Sequence, residues 1–95
     1  MQRRAMGFVE TIGFASAIVA ADVALKSADV ALVRMESVIG VGKSIGVTVY
    51  FTGDVAAVQA AVARAKTEVA ALNTLVSAHV IAGVDAETQA KLIRI

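Results

Sequence analysis

Apolar and polar positions alternate in several short stretches of this chain and recur at helical spacing in two longer ones. Ala5 to Glu10 reads as a first strand, closed by the turn signal at Gly13. From Phe14 to Ser27 the residues Phe14, Ile18, Val19, Ala21 and Leu25 fall at helical spacing among many alanines, which predicts a first helix. Val30 to Glu36 alternates, with Ala31, Val33 and Met35 on one side and Val30, Leu32, Arg34 and Glu36 on the other, the period of a strand. Ser37 to Gly46 carries Gly40, Gly42 and Gly46 and reads as a loop of unusual backbone freedom. Val47 to Thr52 alternates again and is rich in β-branched and aromatic residues, a third strand expected to pair with the second as a hairpin. Asp54 then stands as an N-cap. In the helix that follows, Val55, Val58, Val62, Ala65, Val69 and Leu72 mark a core face, with Gln59, Ala63, Lys66 and Thr67 opposite. Asn73 is the stop, and Leu75 to Ile81 reads as a fourth strand. Asp85 caps a short terminal helix, Ala86 to Arg94, whose acidic start and basic end suit the helix dipole.

The predicted order is β-α-β-β-α-β plus a short C-terminal helix. This is an α+β, ferredoxin-like arrangement, read as one domain over residues 1–95. Two helices cover one face of a four-stranded antiparallel sheet, so the other face is exposed or covered by a partner. The topology hosts many functions and selects none.

Composition adds a constraint. The chain is 58% hydrophobic with a mean hydropathy of +0.76, above an ordinary domain of 95 residues. A membrane-spanning helix needs about 20 mainly apolar residues. Glu10, Asp22, Lys26, Asp29, Arg34, Glu36 and Lys43 interrupt the first half. The longest uncharged stretch, Val69 to Val84, holds Asn73, Thr74, Ser77 and His79, so no membrane span is expected. The remaining destination for the apolar surface is a large subunit interface. After Met1-Gln2-Arg3-Arg4, Glu10 interrupts the apolar core of a secretory signal, and the expected location is the cytoplasm. A net charge of +1 leaves no electrostatic footprint for nucleic acid.

Candidate chemistry is sparse. Ser37-Val38-Ile39-Gly40-Val41-Gly42-Lys43-Ser44 lies one substitution from a phosphate-binding P-loop, but a strand pattern follows where such a loop must open into a helix. The sole His, His79, has no nucleophile or second ligand predictably near and reads as a structural or interface residue. The carboxylates show no spacing for acid–base catalysis. With zero Cys there is no thiolate metal site or cysteine nucleophile. The expectation is a protein with no catalytic residues, no metal and no cofactor. An RNA-recognition surface would need aromatic residues on adjacent strands; Tyr50 and Phe51 are neighbours on one strand and face opposite sides.

Two segments near the N-terminus, Gly7-Phe8-Val9-Glu10-Thr11-Ile12-Gly13 and Ala20-Ala21-Asp22-Val23-Ala24-Leu25-Lys26-Ser27-Ala28, are followed in order by Gly53-Asp54-Val55 and His79-Val80-Ile81. Together, over about Met6 to Ile81, they resemble the BMC-domain shell proteins that tile bacterial microcompartments. The resemblance implies a cyclic homohexamer with a central pore for small metabolites, assembled with other shell proteins around encapsulated enzymes. It also implies that the hairpin loop between the second and third strands lines the pore, which makes Gly40, Val41, Gly42, Lys43 and Ser44 the rim. Six Lys43 ammonium groups around one aperture would favour anions. Lys26, in the family's Ala-Ala-Asp-x-x-x-Lys segment, is implied at the hexamer edge.

The chain departs from the family in three places. Its loop is about four residues longer than the common Lys-Ile-Gly-Ser-Gly, more like the type found with glycyl-radical enzymes, some of which hold an iron–sulfur cluster on a loop Cys; without Cys none is expected here. Gly83 stands where the family often has an Arg that reaches the next hexamer, and Ile12 replaces its basic residue before Gly13. The alternative reading is a regulatory domain of the same topology that binds a small molecule at a subunit interface near the glycine loop.

Overall fold

The computed structural model describes residues 4–39 and 44–84, the side chain of Val84 excepted. The elements are β1 (Arg4–Ile12), α1 (Phe14–Ser27), β2 (Ala31–Ile39), β3 (Ile45–Gly53), α2 (Val55–Ala71) and β4 (Leu75–Val84), the β-α-β-β-α-β order that the alternation predicts. The strands form one antiparallel sheet in the order β2-β3-β1-β4. The short terminal helix expected over 86–94 lies outside the described residues.

Both helices pack on one face of this sheet. Ala5 and Val9 of β1 and Val47, Val49 and Phe51 of β3 meet Ala17, Ala20, Ala21 and Ala24 of α1 and Val58, Ala61, Val62, Ala65 and Val69 of α2 in a single core. The small alanines let α1 lie close to α2 and to the sheet. Burying each large member, such as Phe51, contributes about 1.5–3 kcal/mol. The predicted core face of α2 holds through its middle, whereas Val55 and Leu72 at its two ends are exposed.

Helix ends follow their local chemistry. Gly13 turns the chain from β1 into α1 at φ 86, a conformation that costs a side-chain-bearing residue strain. Asp54 occupies the N-cap position of α2, but its side chain makes no capping hydrogen bond; its carbonyl accepts from Val58 N–H at 2.9 Å. At the other end Asn73 sits at φ 59. Its N–H donates to Ala70 C=O and the Thr74 N–H donates to Val69 C=O, a Schellman closure.

Two expectations need correction. Ser37, Val38 and Ile39 are not loop but strand, paired with Val47, Gly46 and Ile45. The hairpin ladder therefore runs further than the glycines indicated, and only residues 40–44 separate β2 from β3. Within β2 the pairing shifts between Leu32 and Arg34, so Leu32 sits opposite the core residue Phe51 rather than beside Arg34 and Glu36. A β-bulge adds one residue to the count, and strict alternation across it places side chains on the wrong face.

Candidate functional site

Three places in the fold carry the residues singled out by sequence. The first is the tip of the β2–β3 hairpin. Gly40, Val41, Gly42 and Lys43 lie outside the described residues, and Ser44 is exposed immediately before β3. Ile39, 85% exposed, and Ile45, 42% exposed, flank the tip, and Gly13 N–H donates to Ile45 C=O at 2.8 Å. The hairpin thus presents an apolar collar just below its loop. The chain continues from Ser44 into β3, not into a helix, so this segment lacks the helix N-terminus that a P-loop needs to hold phosphate.

The second place is the outer side of α1. Lys26 stands in its last turn, where Nζ donates to Asp22 Oδ2 at 2.9 Å, with the two side chains 74% and 56% exposed. Beside this ion pair Phe14, Ile18 and Leu25 point away from the core and are exposed. Their spacing of four and seven residues sets them in one stripe. The helix therefore has two apolar sides, one of alanines turned into the core and one of larger residues turned outward.

The third place is the sheet face that no described helix covers. Registers align Arg34 with Tyr50, Tyr50 with Phe8 and Phe8 with His79, while Glu36, Thr48, Glu10 and Ser77 form the next rank. Arg34 Nη2 donates to Glu36 Oε2 at 2.8 Å, the Tyr50 hydroxyl donates to Glu36 Oε1 at 3.3 Å, and Ser77 Oγ donates to Glu10 Oε1 at 3.3 Å. Partial burial, then the Glu36 carboxylate, holds the Tyr50 hydroxyl above its ordinary pKa. Phe8 and Tyr50 meet edge to face with centroids 5.2 Å apart. His79 is exposed.

The Phe8–Tyr50 pair corrects the reading that set Tyr50 against Phe51 alone. The signal was available in the period-2 alternation of β1, which turns Phe8 outward once Gly7 and Val9 are inward; the register that sets it beside Tyr50 was not. The rank also carries Glu10 and Glu36, so this is not a basic surface of the kind nucleic acid binds. Among the described residues there is no cluster that could hold a metal ion and no cavity. None of their helices is long and apolar enough to cross a membrane.

Comparison with known proteins agrees with this architecture. The model of the BMC domain family matches residues 5–84. The carboxysome shell protein CcmK1 of Thermosynechococcus vestitus is 44% identical over 80 residues, covering 82% of this chain and 67% of that protein. The bacterial microcompartment shell protein PduA of Citrobacter freundii is 44% identical over 81 residues, covering 85% of this chain and 83% of that protein. Among solved structures, a microcompartment protein from Desulfitobacterium hafniense DCB superposes with a TM-score of 0.83 at 29% identity, covering 97% of this chain and 48% of that one. The family match takes in all six elements, from the second residue of β1 to the end of β4, and the chain belongs to the BMC-domain family.

Proposed function

We propose that this chain is a non-catalytic structural subunit of a bacterial microcompartment shell, a single domain over residues 1–95 located in the cytoplasm. It assembles as a cyclic homohexamer, tiles with other shell proteins around encapsulated enzymes, and lets small metabolites pass through a central pore. The observation that carries this reading is the BMC-domain match over residues 5–84, supported by named shell proteins at 44% identity. The exposed apolar stripe of α1 and the collar of Ile39 and Ile45 fit it, because such surface needs a partner in water. Gly40, Val41, Gly42, Lys43 and Ser44 form the pore rim, and Lys26 stands at the hexamer edge. The glycyl-radical compartment type rests on the length of the Ser37–Gly46 segment in the sequence alone, of which β2 and β3 take all but residues 40–44.

Native mass spectrometry at low concentration tests the assembly. Six-chain particles are expected; a monomer, dimer or trimer would remove the sixfold axis. The rim is tested by Lys43→Glu, which reverses the charge at the aperture. It is expected to slow anion entry into assembled shells, and unchanged anion permeability would exclude Lys43 from the rim.

A further inference from the structure

The last two ranks of the β2–β3 hairpin carry apolar side chains on both faces of the sheet. Ile39 pairs with Ile45, which alternation sets on the side of Val47, Val49 and Phe51, the side the helices occupy. Val38 stands on the open side, in a rank with Gly46 and Ile12. Ile39 is 85% exposed and Val38 59%, the furthest into water of the large apolar residues on β2. Among the described residues, none in these two ranks is charged. Glu36 and Glu10 lie one rank back on the open side, where Arg34, Tyr50 and Ser77 donate to them. The Glu10 carboxylate reaches forward from there, its Oε2 3.2 Å from where a Cβ on Gly46 would stand.

This surface differs in kind from the stripe on α1. The stripe faces one way, and one neighbour seated on it would cover it. The hairpin end is apolar on both faces, so a neighbour on one face leaves the other in water. Copies that converge on an axis shield one another on every side, which suits such an end.

We infer that Ile39, with Val38 and Ile45, forms an apolar throat in the pore, and that the metabolites the throat favours are small and uncharged. This rests on the sixfold assembly proposed above. An apolar ring offers no hydrogen bond or counter-charge to replace the water around an ion, so an ion of either sign crosses at a cost that an alcohol or aldehyde of the same size escapes. Glu10, beside the open-side mouth, adds a like charge against anions, whereas the cations it attracts still meet the ring. Charge at the rim then sets which ions gather there, and the throat sets how few of them cross.

The test compares shells whose hexamers are supplied by the parent chain, by Ile39→Ser or by the conservative Ile39→Val. Entry of radiolabelled butanol, butyrate and butylammonium is timed, three probes of similar size that are uncharged, anionic and cationic. Butanol is expected to enter parent shells fastest. In Ile39→Ser both ions gain, so the ratio of butanol to ion entry falls at least about threefold, while Ile39→Val keeps the parent's ratio. Ions that enter parent shells as fast as butanol, or a ratio unmoved in Ile39→Ser, overturn the throat and leave the assembly standing. Native mass spectrometry of the same proteins separates the two readings, with six-chain particles expected in all three. Their absence in the parent overturns the assembly and the throat together. Their loss in Ile39→Ser alone places Ile39 between subunits and overturns only the throat.

Discussion

Gly7 and Val62 meet where a side chain is missing: a Cβ on Gly7 would lie 2.5 Å from Val62 Cγ2 and 2.8 Å from Val58 Cγ1. α2 therefore rests on bare backbone at the centre of β1. Gly7→Ala is expected to destabilise the fold by about 1–3 kcal/mol through overpacking. Val62→Ala alone leaves a cavity, but combined with Gly7→Ala it supplies the space the new methyl needs. The pair should therefore lose less than the sum of the two changes. Urea denaturation midpoints measure all three variants, and a Gly7→Ala midpoint equal to the parent's would show that the helix can shift at no cost.

Tyr50 offers a test of the open-face network. Its hydroxyl ionises above 10.0, first because of its partial burial and then because of the Glu36 carboxylate it donates to. Glu36→Gln keeps an acceptor but removes the charge, so the absorbance titration midpoint of the single tyrosine should move down without returning fully to the free value. The folded protein keeps this proton at pH values where the unfolded chain has lost it. This group therefore contributes nothing to the pH dependence below about pH 10, and stability falls as pH rises from there through the raised folded value. A midpoint unmoved by Glu36→Gln would break the assigned contact.

Asn73 closes α2 in the left-handed region, at φ 59. Glycine meets that geometry with no Cβ penalty, whereas a β-branched residue meets it worst. Asn73→Gly should therefore be neutral within about 0.5 kcal/mol, and Asn73→Val should destabilise by about 1–2 kcal/mol. Thermal unfolding separates the two, and equal melting temperatures would mean that the turn rebuilds itself around valine.

What the sequence revealed, and what it did not, follows from the range of each interaction. The ends of α1 fall at Phe14 and Ser27 as predicted, because Gly13 and the polar run after Leu25 act within a few residues. The turn at Asn73 was equally local. The bulge in β2 was not, since the shift between Leu32 and Arg34 exists only relative to β3, and the same apolar residues satisfy either face. Asp54 shows the limit of a positional rule: it occupies the cap site while its carboxylate makes no capping bond. At the candidate site, Lys26 falls in the last turn of α1, where the helical spacing of Phe14 to Ser27 puts it, whereas the position of Phe8 beside Tyr50 needed strand partners that no single strand encodes.

Lys26 brings the fold and the proposed assembly to a single experiment. Among the described residues its ammonium pairs only with Asp22 at 2.9 Å, four residues back on an exposed helix face. Such a pair contributes about 0.3–0.5 kcal/mol, so Lys26→Ala should leave the unfolding midpoint of the subunit almost where it was. At a hexamer edge the same substitution removes a long side chain from a contact repeated on every side of the particle, and small losses there multiply across a sheet. The expected outcome is therefore a split: unchanged subunit stability and intact six-chain particles by native mass spectrometry, with loss of extended sheets by electron microscopy. Sheets that persist in Lys26→Ala at the parent's protein concentration would take Lys26 off the edge, and the outward stripe of Phe14, Ile18 and Leu25 would become the next surface to alter.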